Sequence, residues 1–304
     1  MAFVAVDWGS TRLRAYRVEE SGVSDRLASE QGILGTPRDA LAAALVSALG
    51  PWRAWIERDG VPVRMAGMIG SQAGLRDAGY QRLPIFLDEL ASMSAEVVVT
   101  TPLATRVGIR PGLALVDGEA CDVMRGEEVQ LLGAAALCPA ELYVFPGSHS
   151  KWVPVERVAG RARVRTFSTM MTGELYAWLV ERSLVGRDLP QAVWSDDAFA
   201  RGVDRARADG DIVEEMFRTR ARWLLGDVAP AAAPSFLSGL LIGHELVAML
   251  GRYAKGASGP LVVVGAERLC ARYAQAARQL AIETQLLAEE AATVEGFRSF
   301  AHAG

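Results

Sequence analysis

Short apolar runs and alternating segments in the N-terminal part of the chain predict strands around one long helix. The predicted elements are strands over residues 2–7, 12–18 and 23–30, a helix over residues 38–58 and a strand over residues 63–69. Pro37 before the helix and Gly60 after it are typical helix boundaries. A tight glycine-containing turn joins the first two strands, which indicates a hairpin.

The order of strand, glycine turn and strand occurs again about 140 residues later. This second set has strands over 142–145, 151–155 and 163–167, helices over 174–181, 211–225 and 236–250, a strand over 261–264 and a closing helix over 269–280. Three antiparallel strands, a helix and a further strand open a ribonuclease-H-like layer, in which helices pack on a mixed sheet. We therefore expect an α/β protein with two ribonuclease-H-like domains, residues 1–137 and 138–304, that flank a cleft.

Composition excludes several classes of function. The chain has 304 residues, 51% of them hydrophobic, and a net charge of −4, which argues against nucleic acid or an anionic membrane as partner. The start of the chain lacks the pattern of a signal peptide, so we expect a cytoplasmic protein. Its three cysteines fit neither a zinc site nor a disulfide framework. Whether the chain forms a homo-oligomer is left open.

The first hairpin turn has residues suited to phosphate and metal. Asp7 at the strand end can hold a divalent cation through water, and Gly9 lets backbone amides and the Ser10 and Thr11 hydroxyls converge on phosphate oxygens. Arg12 could neutralise the phosphate charge. An ordinary hairpin with a polar turn explains the same residues equally well.

The second glycine turn repeats this design with more hydrogen-bond donors. Gly147, Ser148, His149, Ser150 and Lys151 combine a glycine, two hydroxyls, an imidazole and an ammonium group. A nucleophilic serine–histidine pair is the competing interpretation, but the G-x-S-x-G elbow of serine hydrolases is missing from this sequence. We therefore favour phosphate binding over hydrolysis.

Three further places in the sequence, residues 127–128, 172–174 and 265, each allow a chemical and a structural interpretation. Glu127 or Glu128 could accept the proton of an acceptor hydroxyl, or could stabilise a helix start through the helix dipole. Thr172 before Glu174 could cap a helix or help to receive a carboxylate. Gly265 could let an adenine approach the backbone or could only end a strand.

Seven segments in order resemble one family, the 2-dehydro-3-deoxygalactonokinases of the actin-like ATPase superfamily. The segments are Asp7–Tyr16, Met65–Ser71, Met124–Ala134, Phe145–Val153, Met171–Tyr176, Leu184–Pro190 and Phe236–Glu245. The resemblance implies that ATP phosphorylates the 6-hydroxyl of 2-dehydro-3-deoxy-D-galactonate, with Mg²⁺ as companion ion and a nucleotide in the cleft between the domains.

The resemblance also implies roles for individual residues. Asp7 would organise the metal, residues 9–12 and 147–151 would form two phosphate loops, and Glu127 or Glu128 would be the base. The N-terminal domain would hold the acceptor, and the C-terminal domain the adenosine. Residues implied for sugar-acid binding are Arg14, Gly67, Met68, Gly70, Ser71, Arg125, Thr172 and Glu174, and those for adenosine are Gly239 and Gly265.

Two other functions fit the same segments. A kinase for another sugar or sugar acid, such as 2-dehydro-3-deoxygluconate or a ketose, would use the same phosphate turns. A nucleotide-gated regulatory protein would keep the fold and lose the acidic groups, whereas this chain has Asp7, Glu127 and Glu128.

Overall fold

The structure is a computed structural model that describes residues 2–92, 96–118, 120–208, 211–253 and 259–302. Its strands are β1 (Phe3–Trp8), β2 (Leu13–Glu19), β3 (Gly22–Ser29), β4 (Val63–Ala66), β5 (Tyr80–Arg82), β6 (Ile85–Phe86), β7 (Val97–Val99), β8 (Val107–Ile109), β9 (Gly112–Asp117), β10 (Ala120–Met124), β11 (Leu142–Phe145), β12 (Ser150–Val158), β13 (Arg161–Val164), β14 (Ser168–Met170), β15 (Leu261–Gly265) and β16 (Thr284–Ala288). Its helices are α1 (Leu41–Ala48), α2 (Arg53–Asp59), α3 (Leu87–Ser92), α4 (Glu127–Leu137), α5 (Thr172–Arg182), α6 (Asp196–Ala206), α7 (Ile212–Leu224), α8 (Ala233–Tyr253), α9 (Glu267–Gln279) and α10 (Glu289–His302).

The chain divides into two compact units, and the first of them is assembled from separate segments. It consists of Met1–Pro139, Val155–Phe167 and Glu289–Gly304, and the second of Ala140–Pro154 and Ser168–Ala288. The predicted boundary at residue 137 stays a prediction, but the last helix, α10, packs with the first unit. The predicted closing helix, observed as α9, is therefore followed by a further strand and a further helix.

The main sheet of the first unit has the strand order β3-β2-β1-β4-β8-β7. Strands β1, β2 and β3 are antiparallel neighbours, whereas β4 and β8 run parallel to β1. The apolar side chains of these strands and of α1 and α2 form one core, in which Trp8, Leu45 and Ile56 are almost fully buried. The hairpin and the fourth strand predicted from the sequence are confirmed.

The long helix predicted over residues 38–58 is two helices. Helix α1 ends at Ala48 and α2 begins at Arg53, with a short 3₁₀ turn, Gly50–Trp52, between them. Pro51 explains the break, because it lacks the amide hydrogen that a continuous helix needs at that position.

Helices α4 and α10 cross in the first unit at two glycines. A Cβ at Gly133 of α4 would lie 1.9 Å from the Ala292 carbonyl oxygen, and one at Gly296 of α10 would lie 1.9 Å from the Val129 carbonyl oxygen. Both neighbours are backbone atoms, so the two helices can approach this closely only because both positions lack a side chain.

The second unit repeats the strand order of the first. Strand β11 lies between β12, which is antiparallel to it, and β15, which is parallel. Strand β14 continues the antiparallel side and β16 the parallel side. The order β14-β12-β11-β15-β16 corresponds to β3-β2-β1-β4-β8, so the prediction of two ribonuclease-H-like halves is confirmed.

Helix α8 is the central helix of the second unit. The segment Pro230–Tyr253 is the one candidate, within the described residues, that is long and apolar enough to cross a membrane, but 78% of its most apolar window is buried inside the protein. Such burial is typical of the core helix of a globular domain.

The two crossing glycines generate a stability prediction. We expect Gly133→Ala and Gly296→Ala each to destabilise the protein by roughly 1–3 kcal/mol, because backbone must move to admit the methyl group. Urea unfolding of each purified variant measures this. Gly251→Ala is the matched control: it lies in α8 with no atom within 4 Å of the new Cβ, so alanine's helix propensity should stabilise it slightly. Equal behaviour of all three variants would contradict the close helix crossing.

Candidate functional site

Asp7 lies near the end of β1 and is paired with an arginine on the neighbouring strand. Asp7 is opposite Arg14 of β2 and opposite Ala66 of β4. Arg14 Nη1 lies 3.6 Å from Asp7 Oδ2 and 3.1 Å from Glu289 Oε2. Arg14 therefore bridges two carboxylates of the first unit, which leaves its guanidinium less available for a substrate carboxylate.

Two glycines bring backbone segments close to the Asp7 carboxylate. Gly67, directly after β4, has a φ of 91°, and a Cβ there would lie 3.2 Å from Asp7 Oδ1 and 2.8 Å from the Trp8 carbonyl oxygen. Gly126, before α4, has a φ of 107°, and its Cβ would lie 3.4 Å from Gly67 Cα. Positive φ favours glycine at both positions, and crowding adds to this requirement at Gly67. The strand end at Gly67 and the start of α4 thus meet at Asp7.

The two acidic residues at the start of α4 have different surroundings. The Gly126 amide donates to Glu128 Oε2 at 2.6 Å, and the Arg125 amide donates to Glu127 Oε2 at 3.1 Å. Glu128 is 1% exposed, whereas Glu127 is half-buried. Glu128 thus points into the protein, and Glu127 is the carboxylate of the pair that has access to solvent.

Burial shifts the acidity of this cluster. Burial raises the pKa of Asp7 to about 6; Arg14 opposes the shift, while Glu289 and Glu127 add to it. Burial also raises the pKa of Glu128 to about 8, with a further contribution from the Glu127 charge. At neutral pH Asp7 is therefore mostly ionised and Glu128 is mostly neutral. A cation at Asp7 would relieve the repulsion among these carboxylates.

The first turn is fixed by hydrogen bonds within the first unit. The Gly9 amide donates to the Arg12 carbonyl at 2.8 Å, and the amide of Leu34 donates to the Ser10 carbonyl at 3.0 Å. Arg12 itself is exposed and its Nε lies 3.0 Å from Glu30 Oε2. Because the Gly9 amide is used inside the turn, the exposed Thr11 and Arg12 and the half-buried Ser10 are its better candidates for contact with phosphate.

The predicted acceptor residues lie beside Arg125 through Gly70. Met68 and Gly70 belong to a 3₁₀ turn after Gly67, and Ser71 Oγ donates to the Met68 carbonyl at 2.8 Å. Arg125 Nη2 donates to the Gly79 carbonyl at 2.9 Å, and its guanidinium carbon lies 4.3 Å from the centre of the Tyr80 ring.

The guanidinium of Arg125 still has hydrogen-bonding capacity. Within the described part of the chain, its Nε and Nη1 atoms are buried and have no hydrogen-bond partner. A Cβ at Gly70 would come within 2.9 Å of that Nη1 atom, so the glycine makes room for the arginine. An unpaired buried guanidinium is costly, and a carboxylate is the ligand that best satisfies it.

The second turn, in the second unit, combines exposed and buried residues. Ser148 and His149 are exposed, and His149 Nε2 lies 2.5 Å from Glu174 Oε2. Ser150 is fully buried and its Oγ lies 3.0 Å from the Tyr273 hydroxyl. Lys151 is 5% exposed and its Nζ donates to the His149 carbonyl at 3.0 Å. Ser150 and Lys151 thus support the turn from within, and Ser148 and His149 face solvent.

Thr172 and Glu174, predicted to bind the sugar acid, pack on the second turn. The Glu174 amide donates to the Ser148 carbonyl at 3.0 Å, and a Cβ at Gly173 would lie 2.3 Å from the Gly147 carbonyl oxygen. Thr172 is the first residue of α5 rather than its cap. Within the second unit, both residues therefore adjoin the second turn.

A pocket of about 250 Å³ adjoins this turn. Its walls come from the turn itself and from the helices α5, α8 and α9, and the lining residues are Gly147, Ser148, Thr172, Gly173, Tyr176, Ser238, Leu241, Ile242, Leu269, Arg272 and Tyr273. Apolar, aromatic and guanidinium groups on its walls suit a flat heteroaromatic ring.

The two glycines predicted to contact adenosine have structural explanations. A Cβ at Gly239 would lie 2.0 Å from the Phe199 carbonyl oxygen, so this glycine lets α8 pack on α6. Its neighbour Ser238 lines the pocket instead. Gly265 ends β15 and lies near Pro146, which precedes the second turn.

Comparison with known proteins identifies the family. The model of a family described as 2-keto-3-deoxy-galactonokinase matches residues 7–300. The chain belongs to this family.

Individual relatives agree with this assignment. A 2-dehydro-3-deoxygalactonokinase of Escherichia coli strain K12 is 36% identical over 301 residues, 99% of this chain and 98% of that protein. A crystal structure of a Sinorhizobium meliloti protein, provisionally given the same name, has a TM-score of 0.86 at 31% identity and covers 99% of this chain and 98% of that one. An activator of 2-hydroxyisocaproyl-CoA dehydratase from Clostridium difficile, covering 100% and 96%, has a TM-score of 0.51 at 11% identity and shares the fold alone.

Sequence reasoning about this kinase missed several residues of the candidate site. Glu289 is brought to Arg14 by α10, and Tyr80 stacks on Arg125. Tyr176 and Arg272 line the pocket from α5 and α9. The acidic pair at residues 289–290 was a visible signal, but its link to β2 depends on the path of the chain between them.

The buried carboxyl of Glu128 generates a prediction about stability. Between pH 4.5, the ordinary pKa of a glutamate, and pH 8, about its pKa in the folded kinase, the folded kinase keeps this proton while the unfolded chain releases it. Glu128 therefore reduces folding stability increasingly as pH rises through this range. Glu128→Gln, which resembles the protonated acid, should raise the melting temperature relative to the unmodified kinase by more at pH 8 than at pH 5. Thermal melts at both values measure this, and Glu181→Gln, which changes an exposed glutamate of α5, is the control. A constant difference between pH 5 and pH 8 for Glu128→Gln would contradict a neutral buried acid.

Proposed function

We propose that the protein transfers the γ-phosphate of ATP to the 6-hydroxyl of 2-dehydro-3-deoxy-D-galactonate, which gives the 6-phosphate and ADP. The chain is a phosphotransferase of the 2-dehydro-3-deoxygalactonokinase kind, by its full-length membership of the family. The single observation that carries the proposal for this site is the convergence of Asp7, Gly67 and Glu127 beside the unpaired guanidinium atoms of Arg125.

We assign the sugar acid to the surface formed by residues 67–71 and Arg125. The two guanidinium nitrogens of Arg125 without partners among the described residues would bind the carboxylate of the substrate. Such binding would orient the opposite end of the substrate, where the 6-hydroxyl lies. The backbone turn at residues 68–70 would contribute polar groups to its hydroxyls.

Glu127 is the better candidate for the base. It has access to solvent, it lies close enough to Asp7 to influence its pKa, and its neighbour Glu128 is buried with a raised pKa. A base must be ionised and reach the acceptor hydroxyl, and the raised pKa of Glu128 keeps that residue mostly neutral at pH 7. Glu128 would instead hold the Gly126 amide and so fix the start of α4.

Asp7 fits the role of a magnesium ligand. No group of three or more His, Cys, Asp or Glu side chains suited to a metal occurs among the described residues, so a protein cage is excluded there. Mg²⁺ is commonly held by one or two carboxylates together with water and phosphate oxygens, which suits the single half-buried Asp7 among like charges. When bound, Mg²⁺ would offset the negative charge of the phosphates.

We assign the nucleotide to the second turn and its pocket. Ser148 and His149 are the exposed donors for phosphate, and Tyr176 and Arg272 would contact the adenine. On the first unit, Ser10, Thr11 and Arg12 would contact the transferred phosphate. A cytoplasmic location belongs to the same proposal.

A coupled assay of ADP release tests the proposed function. Purified protein with Mg-ATP and 2-dehydro-3-deoxygalactonate should release ADP well above a blank without sugar acid, and the C4 epimer 2-dehydro-3-deoxygluconate should react with a lower kcat/KM. A rate equal to the blank would overturn the kinase assignment for this substrate. A higher kcat/KM for the epimer would show that 2-dehydro-3-deoxygalactonate is not the preferred substrate. It would still support phosphoryl transfer from ATP as the reaction.

Replacing Asp7 should abolish turnover. We expect Asp7→Asn to lower kcat by about 100-fold or more, the range found when a charge-stabilising group is lost from an active site. The melting temperature should not fall, because the buried charge is removed. Asp25→Asn, an aspartate on β3 outside the cluster, is the control and should keep its activity. Turnover of Asp7→Asn near that of the control would remove Asp7 from the mechanism.

The two glutamates at the start of α4 should differ in kinetics. Glu127→Gln should lower kcat by roughly 100-fold to 10,000-fold, as is usual when a general base is removed. Glu128→Gln should retain kcat within about tenfold, because glutamine imitates its neutral form. Steady-state kinetics at saturating ATP separate the two variants. Full activity of Glu127→Gln would place the base elsewhere.

A further inference from the structure

A carboxyl group with no role in the chemistry proposed above is buried in the core of the second unit. Glu245 of α8 has 0% exposure and its surroundings include Trp152 and Tyr273, which are 0% and 1% exposed. Burying a carboxyl group at this depth is unfavourable unless hydrogen-bond donors replace the lost water. Its retention in an otherwise apolar helix therefore calls for a function.

Four donors surround this carboxyl group. The indole Nε1 of Trp152 donates to Glu245 Oε1 at 2.7 Å, and the Tyr273 hydroxyl donates to Oε2 at 2.9 Å. The hydroxyls of Thr172 and Ser150 also hydrogen-bond to it. The Ser150 and Tyr273 hydroxyls also lie 3.0 Å apart, and each has a single proton, so the two hydroxyls and the carboxyl group form one connected network. Burial raises the pKa of Glu245, and these hydrogen bonds oppose that shift.

Each donor belongs to a segment that shapes the second turn or its pocket. Ser150 and Trp152 are in β12, directly after the turn, and Ser150 also shares a hydrogen bond with Tyr273. Thr172 begins α5, the helix whose Glu174 amide holds the Ser148 carbonyl. Both Thr172 and Tyr273 line the pocket. A single buried group thus connects the turn with two walls of the pocket.

We propose that Glu245 is a positioning residue, which holds the second turn and the pocket walls in the geometry that binds the nucleotide. This inference rests on the proposed function, because it assigns the pocket to ATP. Glu245 acts through Ser150, Thr172 and Tyr273 and does not itself touch the nucleotide, as it is absent from the pocket lining.

Burial raises the pKa of Glu245 as it does that of Glu128, but Glu245 has side-chain donors on both oxygens, so glutamine should perturb it more. The Trp152 indole can only donate, so it must face an acceptor oxygen. In Glu245→Gln the amide NH₂ group then faces the Tyr273 hydroxyl, which in the native arrangement is itself the donor. That contact must reorganise, and the Tyr273 and Ser150 hydroxyls would change orientation with it.

Nucleotide binding by Glu245→Gln is the decisive measurement. We expect the Kd for ADP, measured by calorimetry, and the KM for ATP each to rise about tenfold or more, while the KM for the sugar acid at saturating ATP changes by less than about twofold. Glu215→Gln is the matched control: it removes a carboxylate that is 2% exposed in the same unit, pairs with Arg205 and Arg218, and lies outside the pocket lining. Its Kd for ADP should stay unchanged even if its melting temperature falls.

A second variant keeps the inference testable if Glu245→Gln folds poorly. Tyr273→Phe removes one donor and keeps the aromatic ring in the pocket wall, and we expect it to raise the Kd for ADP about threefold. Combined with Glu245→Gln, it should add less than the sum of the two effects, because both act through one contact.

The outcomes separate the inference from the proposed function. If the unmodified protein neither binds ADP nor turns over the sugar acid, the proposed function fails. If it does both, and folded Glu245→Gln binds ADP as tightly as Glu215→Gln does, Glu245 has only a structural role and the inference is wrong. Equal increases in the KM for ATP and for the sugar acid would also overturn it.

Discussion

Close packing of backbone around the Asp7 carboxylate is the constraint on which the first unit depends. Gly67 and Gly126 adopt positive φ, and Gly67 also leaves no space for a side chain, so the end of β4 and the start of α4 meet beside the end of β1. The carboxylate is thereby half-buried next to like charges, which raises its pKa and favours a cation there. The position of the Asp7 carboxylate, its raised pKa and its proposed metal binding thus depend on the glycines at positions 67 and 126.

In the second unit, buried polar groups hold the second turn in position. Its turn begins with exposed donors and continues into a strand whose first two residues, Ser150 and Lys151, are buried. Burial of hydroxyl and ammonium groups is tolerated because each has a partner, and those partners fix the position of the turn. In the proposed mechanism, the exposed residues meet the nucleotide and the buried ones keep the turn rigid.

Local patterns predicted the elements well, and long-range contacts explain what they missed. Strands β1, β4, β11 and β15 were predicted because short apolar runs end near glycines, and β2 because its residues alternate after a glycine turn. The helix over residues 38–58 was predicted too long because the sequence pattern does not change at Pro51. The assignment of Gly239 rested on its place in a motif, whereas its neighbour across the helix crossing, Phe199, explains the glycine. The contact of Glu289 with Arg14 could not be predicted from the sequence, since only the folded path of the chain brings the two residues together.

The return of α10 to the first unit has a consequence for how the protein is made. Helix α10 supplies the Glu289 partner of Arg14, and the Arg26 guanidinium of β3 binds Glu290 with its Nη2 atom 2.6 Å from Oε1. During synthesis on the ribosome, these residues emerge after the entire second unit. Strands β2 and β3 therefore gain these ion pairs only after α10 has been synthesised. Nascent chains that stop before residue 289 lack part of the environment of Asp7. The environment of Asp7 is thus complete only after synthesis has passed residue 289.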